Sequence, residues 1–369
     1  MRILPRSIVA LVLLVPAAAR AEKITIDDDT FVNVGLLIQP QFTVTENAAP
    51  DGGVGTDFFL RRARFIVTGQ YDPHIQFVFI TDQANWGKNG DFTPQFIVQD
   101  AIAAYKFGPE LTVSAGFMLL PFLRNNYQSA GALNLVDYRA GVIKFPPTGR
   151  AFRDMGVELR GLLAQDRIYY RAGVFSGIAG TPGATPADPD INPADAPRFT
   201  GTVRFNLLGK DEAYAPPAIT FGADPLVSFG VGVDWQEKAF GEDSDTRYLG
   251  LSADVFVDYP LPGDQEIAAQ AGILSYDNYL SAAGPDEAIG FFAEGGYRIA
   301  KIEPVAGLEY FDGDVPGTKV LNVKLGLNYW VSKHTYNLKA EVTIPNNEEV
   351  DGVTAPENLL GILQAQLAF

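Results

Sequence analysis

The sequence predicts an all-β fold: a transmembrane antiparallel β-barrel of 16 strands with one long loop folded inward. Three observations lead there. Apolar side chains recur at every second position through most of the chain, which in a strand puts them all on one face. Short links between such segments alternate with long ones, the asymmetry of outer-membrane barrels. Beyond the first residues no run of 18 apolar residues occurs, so the chain has no candidate for a membrane-spanning helix.

The elements follow in order. Arg2 and Arg6 open the chain, Ile8 to Ala18 is a short apolar run, and Ala19-Arg20-Ala21 fits an export-signal cleavage site. Residues 1–21 are therefore expected to be a signal peptide, 22–30 a short periplasmic lead-in, and 31–369 a single barrel domain. The first strand sets Val32, Val34, Leu36, Ile38, Pro40, Phe42 and Val44 on one face, with Asn33, Gln39, Gln41 and Thr43 opposite. The last does the same with Leu363, Ala365, Leu367 and Phe369 against Gln364 and Gln366. In a barrel wall the first set meets lipid and the second meets water.

Segments of this kind are expected near 31–45, 58–70, 74–82, 96–107, 110–118, 154–163, 167–176 and 198–208. The second half adds 225–236, 247–259, 266–276, 287–299, 301–311, 319–331, 335–345 and 357–369. Links at 71–73, 108–109, 164–166, 300 and 332–334 are tight, whereas 46–57, 83–95, 119–153, 177–197 and 346–356 are long. One link breaks the rule: 209–224 is long where a tight turn is expected. Tyr259, Tyr297, Tyr310, Tyr329, Trp330 and Phe369 fall at strand ends, as interfacial aromatic girdles require.

Composition narrows the function. The 369 residues carry 28 basic and 44 acidic side chains, a net charge of −16. Loss of the first 21 residues removes three arginines and leaves 25 against 44, a net of −19. With no cysteine, neither a disulfide framework nor a thiolate metal site is available. The two histidines, His74 and His334, fall in or beside predicted tight turns, away from any site for acid–base or nucleophilic chemistry. The reading is of a non-enzymatic protein with no cofactor, no metal and no nucleic-acid partner.

Several stretches resemble the phosphate-selective porin O and P family. "FFLRRARFIVTGQYD" (Phe58 to Asp72), "VQDAIAAYKF" (Val98 to Phe107) and "GFMLLPF" (Gly116 to Phe122) follow one another as in that family. "GRAFRDMGVELRG" (Gly149 to Gly161), "YYRAGVFSG" (Tyr169 to Gly177) and "LGLNYWVSKHTYNLKAE" (Leu325 to Glu341) continue it. The resemblance implies a 16-stranded, trimeric porin of the bacterial outer membrane, whose third external loop folds inward and whose basic lumen residues form an anion pathway. Two features depart from the pattern. Leu119-Leu120-Pro121-Phe122 stands where members often have a Lys before Pro-Phe, and only Glu22 to Thr30 precedes the first strand, where some members have a coiled coil.

Alternation assigns the lumen. Arg62, Arg64, Arg160, Arg171 and Arg204 are expected to line it as an anion pathway, with Arg167 beside them. The constriction loop 119–153 adds Arg124, Arg139, Lys144, Arg150 and Arg153 against Asp137 alone. Asp234, Asp254, Asp258, Glu294 and Glu309 form a facing acidic wall. Arg61, on the other face from Arg62, is expected to reach a headgroup or the barrel rim. The plainer reading pairs these arginines with Glu158, Asp154 and Asp100, so that they only shape the channel. The expected function is passive diffusion of small hydrophilic solutes across the outer membrane, favouring anions such as phosphate, from a homotrimer in contact with outer-membrane lipid. A general or cation-preferring porin and a non-conducting structural barrel are the alternatives.

Overall fold

The computed structural model describes residues 22–139, 142–143, 152–177, 195–222, 224–239, 246–281, 284–314, 319–346, 349–350, 353–354 and 358–369. The expected signal peptide therefore lies outside the described residues, as do Lys144 and Arg150 of the loop. The barrel strands are β1 (Phe31–Thr45), β2 (Gly55–Gln70), β3 (Ile75–Asp82), β4 (Ile97–Lys106), β5 (Thr112–Leu119), β6 (Arg153–Leu163), β7 (Ile168–Phe175) and β8 (Arg198–Leu208). They continue as β9 (Leu226–Gln236), β10 (Tyr248–Leu261), β11 (Gln265–Ser281), β12 (Gly284–Ile299), β13 (Ile302–Gly313), β14 (Val320–Ser332), β15 (Tyr336–Pro345) and β16 (Leu360–Ala368).

Each strand pairs antiparallel with the next, and β16 closes onto β1 through Leu360 opposite Thr45, Gln364 opposite Gln41 and Ala368 opposite Leu37. Closure leaves no long free edge, which is why a sheet of this size can stand in a bilayer. A short strand, Glu22–Thr25, folds back on β1 and extends the seam past the C-terminus. Next to it the backbone of Phe369 exchanges hydrogen bonds with Leu36 at 2.8 and 3.0 Å. All 16 expected strands are present. The largest differences are at β11 and β12, which reach to Ser281 and start at Gly284, well beyond the expected ends near 276 and 287.

Alternation decides the faces. Leu251, Val255, Leu325, Leu327 and Leu363 point outward and are exposed, while Gln39, Gln41, Gln364 and Gln366 point inward and are buried. The glutamines of the seam bond across it, Gln39 to Gln366 at 2.8 Å and Gln41 to Gln364 at 2.7 Å. Tyr259, Tyr297 and Tyr329 are exposed on the outer face. Trp330, expected in the same girdle, is buried inside and donates to Glu303 at 2.7 Å. As the residue after Tyr329 on one strand, it takes the opposite face.

Two more expectations are corrected. Arg61 points into the barrel, because a bulge at Gln39/Pro40 leaves it as the extra residue between the pairs Gln39–Arg62 and Pro40–Leu60. Pro40 cannot donate to the ladder, so the bulge sits where a bond is missing anyway. Arg167 is exposed in the β6–β7 turn, where it donates to the Leu207 carbonyl at 2.9 Å.

Candidate functional site: a lumen shared by two inward segments

The loop between β5 and β6 turns in at once. A 3₁₀ turn, Arg124–Tyr127, follows Leu123. Its Asn126 side chain accepts from the Leu123 N–H at 2.6 Å and donates to the Leu120 carbonyl at 2.8 Å. Phe122 packs in a buried cluster with Tyr248, Tyr276, Phe292 and Phe311. Its carbonyl accepts from Ser252 at 2.7 Å, an approach that needs Gly232, where a Cβ would stand 1.9 Å from that oxygen.

From there the loop circles the wall. Gln128 bonds Gln270 at 3.2 Å, Gly131 O accepts from Gln366 at 2.7 Å, and Asn134 O accepts from Asn328 at 2.8 Å. Lys339 donates to Leu133 O, and Val136 N donates to Glu341 at 2.8 Å. Irregular backbone at this depth is tolerable because the wall supplies its partners.

The link between β8 and β9, residues 209–225, enters from the turn end and explains its own length. Asp211 takes Arg124 at 2.7 Å and Ser228 at 2.9 Å. The Tyr214 hydroxyl accepts from Leu119 N at 2.9 Å. Pro216 O accepts from Ser129 N at 3.1 Å, and Ala218 N donates to Ala132 O at 2.8 Å, so link and loop are hydrogen-bonded to each other. At its far end Ile219 O meets His334 Nε2 at 2.8 Å, Phe221 N donates to Glu266 at 2.9 Å, and the Phe221 ring lies edge-on to Trp330 and His334. The link thus crosses the lumen from β8 to the β14–β15 turn. Two adjacent prolines and the apolar Ile219 and Phe221 in a supposed tight turn were the signal available in the sequence.

The lumen charges come together as pairs. Arg62 bonds Asp137 at 2.7 Å and Arg64 bonds Asp82 at 2.9 Å. Arg171 bonds Glu158 at 2.7 Å, and Arg160 reaches the same carboxylate at 3.4 Å. Arg204 bonds Asp254 and lies 3.5 Å from Asp211. Arg139 of the loop lies 3.2 Å from Glu294 and 3.1 Å from Glu309, and Arg153, which opens β6 instead of ending the loop as expected, bonds Asp100 at 2.9 Å. Asp234 pairs with Arg198, Glu309 also takes Lys324 at 2.9 Å, and Asp258 accepts from Thr220 N at 2.5 Å. Asp137 accepts Arg61 as well as Arg62. Burial alone would push its carboxyl up, but the two guanidinium groups hold it well below the usual range. The partners Asp82, Asp211, Arg198 and Tyr214 were missed from sequence, since pairing across a lumen has no local signature.

Space remains beside the two segments. A cavity of about 470 Å³ lies between the loop, the link and the β1–β4 wall, with Arg64, Arg153, Tyr138 and Tyr214 among its lining. A second, of about 520 Å³, opens at the turn end beside Phe221, Arg298, Lys301, Trp330 and Lys333.

Residues 32–196 match the family described as phosphate-selective porin O and P. No curated protein matches the sequence. The anion-selective porin from Comamonas acidovorans superposes with a TM-score of 0.61 at 13% identity, over 92% of this chain and all of that one. Salmonella typhi OmpF, solved with daunomycin, gives 0.65 at 11% identity over 94% of this chain and 100% of its own. The trimer form of OmpT from Vibrio cholerae gives 0.55 at 14% identity, over 93% and 100%. At these identities the likeness is one of fold.

Proposed function

We propose that the chain is an outer-membrane porin that passes small hydrophilic solutes by passive diffusion with a preference for anions. This reading is supported by the match of residues 32–196 to the phosphate-selective porin O and P family and by a fold like that of solved porins. The observation that supports the preference is the placing of Arg64 and Arg153 on the cavity left open by loop and link. Asp82, the partner of Arg64, is not part of that lining, whereas Asp100, the partner of Arg153, is. At the turn-end mouth Lys301 and Lys333 add cations with no carboxylate within ion-pair distance among the described residues. Guanidinium suits such a path because it stays charged and presents paired donors to phosphate or carboxylate.

Arg62, Arg160, Arg171 and Arg204 serve this path from behind: each holds a carboxylate and keeps the wall's cations in place. Arg124, Arg139 and Arg153 fasten the constriction, and Asp234, Asp254, Asp258, Glu294 and Glu309 complete the opposite wall. We propose that Lys144 and Arg150 extend the same basic stretch and that residues 1–21 are removed on export. The barrel 31–369 is proposed to assemble as a homotrimer in lipid, a reading supported by its likeness in fold to OmpT of Vibrio cholerae, which has a trimer form.

Reversal potentials across planar bilayers in a salt gradient test the preference. Anion-side reversal is expected, reduced by Arg64→Ala with Arg62→Ala; cation-side reversal unchanged by the double substitution overturns it. A porin without charge preference is the second reading, favoured by the pairing of nearly every lumen cation with an acid. It predicts reversal near zero.

A further inference from the structure

The inner wall of an aqueous barrel is polar, yet one sector here is not. Leu37 stands opposite Arg64, Ile66 opposite Ile80, and Val78 opposite Thr68, so all four aliphatic side chains share the inward face of β1–β3. The outward face of the same strands is apolar too, with Phe65 and Phe79 exposed. That is why "FIV" at 65–67 reads as a run with no alternation.

Among the described residues the constriction loop covers this sector only in part: Tyr138 borders it, and Val78 packs against a buried cluster that includes Leu120. Opposite it the loop presents Ala130, Gly131 and Ala132, which leave the space of about 470 Å³ open rather than filling it. One compartment therefore joins an aliphatic wall to two guanidinium groups, Arg64 and Arg153, the second of them paired with Asp100 in the same lining. Both are largely buried, with side-chain exposures of 10% and 7%.

Building on the anion passage proposed above, we infer that this compartment is a binding site for amphipathic organic anions: carboxylates carrying a short aliphatic or aryl body. The carboxylate takes the Nη donors of Arg64, whose bond to Asp82 is made by Nε, with Arg153, held by Asp100, adding its charge beside them, and the body lies on Ile66, Val78 and Ile80. Its volume falls within the usual span of small-molecule sites, roughly 300–1,000 Å³, and suits a carboxylate of roughly four to eight carbons. An inorganic anion would use the arginines and leave the wall facing water, so it gains nothing from the apolar half of the site.

The test uses the purified full-length barrel in planar bilayers, with chloride as the current carrier and sodium acetate, butyrate and hexanoate as probes. Current block is expected to deepen with chain length, by up to about fourfold in apparent affinity for each buried methylene. In the double variant Ile66→Ser with Ile80→Ser the three probes converge, the barrel's folding being checked by its heat-modifiable migration. Where that variant does not fold, Ile80→Thr replaces it.

Equal block by all three probes, or a chain-length series that survives the substitutions, overturns the site. The two readings fail separately: cation-side reversal with a steep series removes the anion preference and leaves the site, whereas anion-side reversal with a flat series removes the site alone.

Discussion

Arg124 and Asp211 show how much rests on single side chains in this lumen. Each is almost fully buried, and burial would push the Asp211 carboxyl up were it not for Arg124 and Arg204, which together bring it below its ordinary value. A buried pair is weak evidence for net stabilisation, but breaking one is costly, because a charge is left without a partner. Asp211→Asn is expected to lose about 3–5 kcal/mol, read from urea unfolding of the barrel in lipid vesicles. His334 makes the second prediction at this scale. Burial, followed by the charges of Lys339 and Lys333, pulls its pKa down to about 4 despite the hydrogen bond to Ile219 O. The folded ring is therefore neutral where the unfolded one, with an ordinary pKa of about 6.5, already takes up a proton. Docking of the link is fully supported above that value and weakens as pH falls from about 6.5 towards 4. Single-channel conductance should change over that window, and His334→Gln should flatten the part between about 6.5 and 5.

At the scale of elements, loop and link act as one body, because their backbones bond at Ser129–Pro216 and Ala132–Ala218. Replacing residues 211–222 by a two-residue turn should raise single-channel conductance, since it opens the turn end of the lumen; an unchanged conductance would mean that the link obstructs nothing. The loop has its own test at Gly232. A methyl group there meets Phe122 O at 1.9 Å, so Gly232→Ala must displace the first turn of the loop. A cost of about 1–3 kcal/mol is expected for such overpacking, with a shift in conductance that Gly230→Ala, placed against the Arg204 guanidinium instead, should not copy in kind.

For the molecule as a whole, the outer surface is the decisive feature. Leu325 is exposed in the middle of β14, and Leu325→Arg should destabilise the lipid-embedded barrel by about 2–4 kcal/mol. The neighbouring Lys324 is tolerated because it points inward to Glu309. The acidic balance of the chain coexists with a lumen in which acids and bases meet in pairs, so net charge alone says little about what passes.

The strands were legible because a barrel wall imposes period two on every residue that crosses it, and lipid on one side tolerates no exception. That rule named β1 to β16, sent Gln364 and Gln366 inward, and put Arg62, Arg64, Arg160, Arg171 and Arg204 on the lumen face. It failed where something other than the wall set the direction: at Arg61, displaced by a bulge, and at Arg167, held in a turn. It was also silent on the link 209–225, whose residues answer to no period. Which arginine meets which carboxylate, how the link seats on the loop, and where an aliphatic sector stays open were settled only by closure of the sheet. Closure brings together side chains far apart along the chain, and such contacts leave no mark in local sequence.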